Sequence, residues 1–151
     1  LRVADYIFNE IKENDLEELI DNKSLVAVLH IYQTWYREGL EPTAKTFLYN
    51  EDQVMSSLVV SLMDHNQEIS PNWKEIFEGK IATREDLYKE EVFSTINYLK
   101  LRKLKLLMNN NQNDLEKATN AEEQIILLKI HQHLKELEIN LTKQIGTVIF
   151  K

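Results

Sequence analysis

The residues of this 151-residue chain that could do chemistry are four histidines, scattered acidic pairs and one basic run. The histidines are His30, His65, His131 and His133. His131 and His133 stand i, i+2, about 200° apart on a helix, whereas a shared metal needs i, i+3 or i, i+4. None of the four has Asp or Glu three residues before it, so the Glu-x-x-His pattern of di-iron bundles is missing. His131 and His133 are expected on a solvated helix face. His30, in an apolar helix, is expected as a hydrogen-bonded core residue. Glu17-Glu18, Asp64, Glu90-Glu91 and Glu122-Glu123 read as solvated faces and helix N-terminal charges. The three glycines are isolated and cannot form a phosphate loop. With no Cys there is no thiolate zinc site, iron–sulfur cluster, disulfide or cysteine nucleophile. No nucleophile lies beside a base in the pattern. The expectation is a non-catalytic chain with no metal and no cofactor of its own.

The basic run is Lys100-Leu101-Arg102-Lys103-Leu104-Lys105. Lys100, Arg102, Lys103 and Lys105 flank two leucines on both sides of a helix. They can cover an apolar seam and pair with Glu136 and Glu138 opposite. They can also form a docking site for an acidic peptide or a nucleic-acid backbone. Charge divides unevenly along the chain. Residues 95–151 hold 9 Lys/Arg and 6 Asp/Glu, net +3, and residues 1–94 hold 9 and 19, net −10. The acidic part repels phosphate, so direct nucleic-acid binding is expected to be weak or absent.

These residues must sit on helices. Gly and Pro number three and two, about 3% of the chain against roughly 12% in average usage. Turn-rich β architectures need far more. An all-α fold is therefore expected: a compact multi-helix globule over 1–94, then a long connecting helix and a C-terminal antiparallel hairpin over 95–151. Val3, Ile7, Phe8 and Ile11 mark a first helix over 3–13, and a short helical turn falls around 16–20. Ser24 is a candidate cap for a central helix to Glu38, closed by Gly39. Pro42 opens a short helix over about 43–49. Asn50 to Gln53 reads as a capping box before a helix whose face is Val54, Leu58, Leu62 and His65. Ser70-Pro71 opens another, with Trp73, Ile76 and Phe77, closed by Gly79.

From Thr83 to Gly146 there is no Gly or Pro. A long helix from about 84 to 118 and a second from about 121 to 145 follow, with Asn120 and Glu123 as a capping box at the second start. Leu101, Leu104, Met108, Asn111 and Leu115 recur at heptad spacing, as do Leu127, Ile130, Leu134, Leu137 and Leu141. Asn111 falls on this seam near Ile130 and His131. It could fix register, but a thin two-helix arm favours its reaching water. Leu99, Leu106, Ile125, Leu128 and Ile139 point off the seam, with Leu99 expected to pack on the globule, and Val148-Ile149-Phe150 adds an apolar terminus. Exposed apolar residues of this kind mark an interface.

The lack of Cys fits a reducing, cytoplasmic compartment. No apolar run approaches the roughly 20 residues of a membrane helix, so no membrane partner is expected. A start at Leu1 without Met reads as a fragment of a longer chain.

Taken together, the pattern resembles the C-terminal helicase-binding domain of bacterial DnaG-type DNA primases, in the form seen in Bacteroidetes-like members. The similar stretches are Ala4-Asp5-Tyr6-Ile7-Phe8-Asn9-Glu10-Ile11 with Asp15-Leu16-Glu17-Glu18, then Asn50 to Met63 ahead of Trp73. Tyr98-Leu99-Lys100-Leu101-Arg102-Lys103, Glu123-Gln124, and Leu141-Thr142-Lys143-Gln144-Ile145-Gly146-Thr147-Val148-Ile149 complete them. The resemblance implies a globule similar to the N-terminal domain of the replicative helicase. It also implies a hairpin that docks on the N-terminal domains of the hexameric DnaB-type helicase and recruits primase to the fork. On that hairpin the candidate docking residues are Leu106, Leu128, Leu134, Leu137, Ile139, Leu141, Ile145, Val148 and Ile149. A basic site for the acidic tail of single-stranded-DNA-binding protein occurs in some members, and Lys100, Arg102, Lys103 and Lys105 are candidates for it from charge alone. The resemblance further implies that zinc and magnesium belong to other domains of a parent primase.

Overall fold

Local capping decides where the helices begin and end. In the computed structural model, which describes residues 2–49, 51–63 and 84–145, the chain is all-α. The described helices are α1 (Val3–Glu13), α2 (Lys23–Arg37), α3 (Ala44–Leu48), α4 (Gln53–Met63), α5 (Arg84–Lys117) and α6 (Ala121–Ile145), with a 3-10 turn at Glu17–Leu19. The two long helices fall where the absence of Gly and Pro predicts them. The expected helix around Trp73, and His65 and Asn50, lie outside the described residues.

The chain divides into two compact units, Leu1–Leu19 with Tyr88–Lys151, and Ile20–Leu87. The charge break near residue 95 predicts a single boundary instead. The difference is that the N-terminal segment packs with the hairpin. Its attachment begins at the end of α1. Asp15 takes a left-handed φ of 49°, and the Leu16 amide donates to the Ile11 carbonyl at 3.0 Å. This six-residue closure reverses the chain and drives Leu16 inward. Leu16 is fully buried. Tyr6 on α1 stacks on Phe93 of α5 with ring centroids 6.0 Å apart. Burial, and then the negative charge of Glu10, push the Tyr6 hydroxyl above its ordinary pKa.

The Ile20–Leu87 unit is built on Phe47, Met55 and Val59, packed with Val28, Ile31, Tyr32, Trp35 and Leu48. Phe47 lies nearly parallel to Tyr32 at 6.3 Å and tilted against Trp35 at 5.2 Å. Three sequence expectations shift here. The cap of α2 is Asn22, whose side chain accepts from the Ser24 and Leu25 amides at 2.9 and 3.3 Å; Ser24 lies inside the helix. The cap of α4 is Asp52, accepting from the Val54 and Met55 amides at 2.9 and 3.4 Å. The inward face of α4 is Met55 and Val59, while Val54 and Leu62 are exposed. Both rows recur at i, i+4, one residue apart, so sequence periodicity does not separate them; the ring of Phe47 selects the second. His30 is also exposed on α2, not a core residue.

Gly39 ends α2 as expected, at φ 78°. Its amide donates to Tyr36 and that of Leu40 to Trp35, at 3.1 and 2.9 Å, the paired bonds of a Schellman closure.

Two substitutions test these anchors by thermal and denaturant unfolding. Leu16→Ala is expected to destabilise the hairpin-containing unit by about 2–5 kcal/mol, because the vacated volume is fully enclosed. Gly39→Ala, although its methyl meets no neighbour, is expected to lose about 1–2 kcal/mol from the left-handed backbone alone.

Candidate docking site on the helical hairpin

The hairpin is the element that positions every candidate site residue. Asn120 caps α6 by accepting from the Glu122 amide at 3.0 Å, and Gln124 reaches back to the Ala118 carbonyl at 2.7 Å. These bonds turn the chain in three residues, so α6 returns antiparallel along α5.

The seam on α5 follows its heptads. Leu101, Leu104 and Asn111 are buried, and Met108 and Leu115 half-buried. Asn111 is 6% exposed and donates from Nδ2 to the Leu127 carbonyl at 3.1 Å. The expectation that it reaches water is therefore overturned. It lies inside the seam and holds α6 by its backbone, the register role of a buried polar residue.

On α6 the seam is rotated from the expected row. Leu127, His131, Leu134, Glu138, Leu141 and Ile145 are half-buried, whereas Ile130 and Leu137 are 44% and 42% exposed. The observed row steps by four and then three residues; the expected row steps by three and then four. Both share Leu127, Leu134 and Leu141. His131 thus leaves the solvated face predicted for it, and its Nδ1 is shielded with no hydrogen-bond partner among the described residues. His133 is exposed, as expected.

The nine docking candidates consequently separate. Leu106, Leu128, Leu137 and Ile139 are exposed at 42–53%. Leu134, Leu141 and Ile145 are half-buried in the seam. Val148 and Ile149 lie outside the described residues. Ile125, expected off the seam from its spacing, is exposed at 53%. Heptad reading missed Ile126, exposed at 59%, although it too belongs to neither seam row.

The four cations separate as well. Lys100 pairs with Glu10 of α1, and Lys103 with Glu18 of the 3-10 turn. Glu10 also accepts from Asn14 Nδ2 at 3.1 Å, so it is held from two sides. The expected partners on α6 are not used; Glu138 pairs with Lys135 at 2.6 Å. Arg102 and Lys105 remain exposed. A basic docking patch would therefore have to compete with carboxylates of the same chain at half of its members.

Where α6 ends, Phe93, Ser94 and Asn97 of α5 and Gln144 and Ile145 of α6 line a small open groove. Asn97 is 3% exposed, and its Nδ2 has no hydrogen-bond partner among the described residues. No group of three or more His, Asp or Glu among the described residues could hold a metal ion. No described helix is long and apolar enough to cross a membrane.

Fold and surface define an all-α chain ending in a helical hairpin with apolar residues left on its outside. The chain belongs to the family described as Domain of unknown function (DUF8430), whose model matches residues 1–148. No curated protein and no solved structure matches it.

The two buried asparagines are expected to respond oppositely to apolar replacement, measured as shifts in unfolding midpoint. Asn111→Ala removes a made bond and is expected to destabilise by about 1 kcal/mol. Asn97→Leu removes an unpaired buried amide and is expected to be neutral or to raise stability by up to about 1 kcal/mol.

Proposed function

We propose that this chain is a non-catalytic protein-interaction domain of a cytoplasmic DNA primase. It binds the N-terminal domains of the hexameric DnaB-type replicative helicase and recruits primase to the replication fork for primer synthesis. The observation that carries the reading is the set of apolar side chains outside the α5–α6 seam. Leu128 and Ile139 lie on the flank of α6 away from Ile130 and Leu137, and both stay about half exposed. An apolar flank on a helix that already has its own seam is suited to a hydrophobic surface on another protein. The resemblance to the helicase-binding domain of primases supplies the identity of that surface. In this reading zinc and magnesium serve other domains of the parent enzyme.

The alternative is a basic-arm module for single-stranded DNA or the acidic tail of single-stranded-DNA-binding protein. It is weaker here, because Lys100 and Lys103 are already paired with Glu10 and Glu18.

Co-purification with the helicase N-terminal domain tests the proposal. Leu128→Glu with Ile139→Glu is expected to reduce binding by about tenfold or more, and Arg102→Glu with Lys105→Glu to leave it unchanged. Retained binding in the first variant, or loss only in the second, overturns the assignment.

A further inference from the structure

Beyond the proposed helicase contact, α6 carries a second outward face. At about 100° per residue, Ile126, Ile130, His133, Leu137, Asn140 and Gln144 form one stripe beside the α5 seam. All six are exposed. The stripe steps by four and three residues, the spacing of a helix–helix seam, and all of it but Gln144, which also lines the groove with α5, stands clear of the α5 seam.

Its border is charged in a regular way. Glu122, Lys129, Glu136 and Lys143 recur every seven residues along the solvent side, alternating in sign, and all are exposed. On the opposite border the equivalent positions are Leu127, Leu134 and Leu141, which are turned toward α5.

We infer that this stripe is the contact surface for a second copy of the chain, with the two α6 helices antiparallel about a twofold axis near residues 131 and 132. The placement follows from the charges. With that axis, Ile126 shares a layer with Leu137 of the second copy, and Ile130 with His133 of the second copy. Lys129 then stands beside Glu136 of the second copy, and Glu122 beside Lys143 of the second copy. Symmetry repeats each pair, so all four border charges meet an opposite sign. A parallel arrangement would oppose the border charges to the leucine border and leave them unmatched. Within one chain, Lys129 and Glu136 are seven residues apart, about 10 Å along the axis, too far to pair with each other. Glu136 accepts a bond from Gln132 at 3.2 Å on the surface, which leaves its carboxylate available to a second partner. Leu128 and Ile139 lie on the other flank of α6 and stay uncovered, so the self-contact and the proposed helicase contact do not exclude one another.

Sedimentation equilibrium of the full chain reads the self-contact directly. A concentration-dependent dimer is expected. Lys129→Glu and Glu136→Lys should each raise the dimer dissociation constant about tenfold, since each converts two attractive pairs into repulsive ones. The double variant restores both pairs and should return to within about twofold of the original. All four positions are at the surface, so folding is not at stake. Because the chain has no Cys, orientation is read by oxidation. Chains with Ile126→Cys mixed with chains with Leu137→Cys should cross-link to each other and not to themselves. In the antiparallel pair, two copies of residue 126 lie about 16 Å apart. A monomer at every concentration, a double variant no better than the singles, or self-linking of Ile126→Cys overturns the inference. The first outcome would leave the stripe to a different partner, such as the helicase.

Discussion

The roll of α6 about its own axis is the constraint on which the rest of this hairpin depends. α5 offers a seam with two buried leucines and two buried asparagines. Asn111 must find an acceptor there, because an unpaired buried amide is unfavourable by about 1–3 kcal/mol. The observed roll brings the Leu127 carbonyl to Asn111 and turns His131 and Glu138 toward the seam. The same roll expels Ile130 and Leu137. One side-chain-to-backbone bond is thus linked to the position of every other residue on α6, including those available to partners.

The second organising contact ties the N-terminal segment to α5. Ion pairs at a protein surface contribute little, about 0–1 kcal/mol each when exposed, and these two are only partly covered. Lys100–Glu10 and Lys103–Glu18 therefore position the segment more than they stabilise it. The stabilisation comes from Leu16, fully enclosed, and from the Tyr6–Phe93 stack. The ion pairs also change the surface charge. They join charges from the acidic part of the sequence to the basic run, so the charge asymmetry of the chain is partly spent internally. Of the basic run, Arg102 and Lys105 remain exposed.

The outer surface of α6 is divided by geometry. One flank of α6 carries Leu128 and Ile139; the other carries Ile126, Ile130 and Leu137 with alternating charges along its border. Two apolar flanks on one helix are difficult to explain as loose packing alone, since each lies clear of the seam with α5. The family to which the chain belongs has no described function, so these flanks are where a functional account has its physical starting point.

Much of the fold was legible in the sequence because helix ends are local events. The scarcity of Gly and Pro, the break at Thr119-Asn120 and Gly39 each act within a few residues, and the structure places α2, α5 and α6 accordingly. Even the misplaced caps were near misses, Asn22 for Ser24 and Asp52 for Asn50, since several capping residues stood side by side. The tertiary structure decided which of two adjacent rows faced inward, on α4 and again on α6, because rows one residue apart have the same period. It also decided that Lys100 and Lys103 meet Glu10 and Glu18, some 85 to 90 residues away in the chain. Short-range spacing selects helices; only the packed neighbour chooses the face.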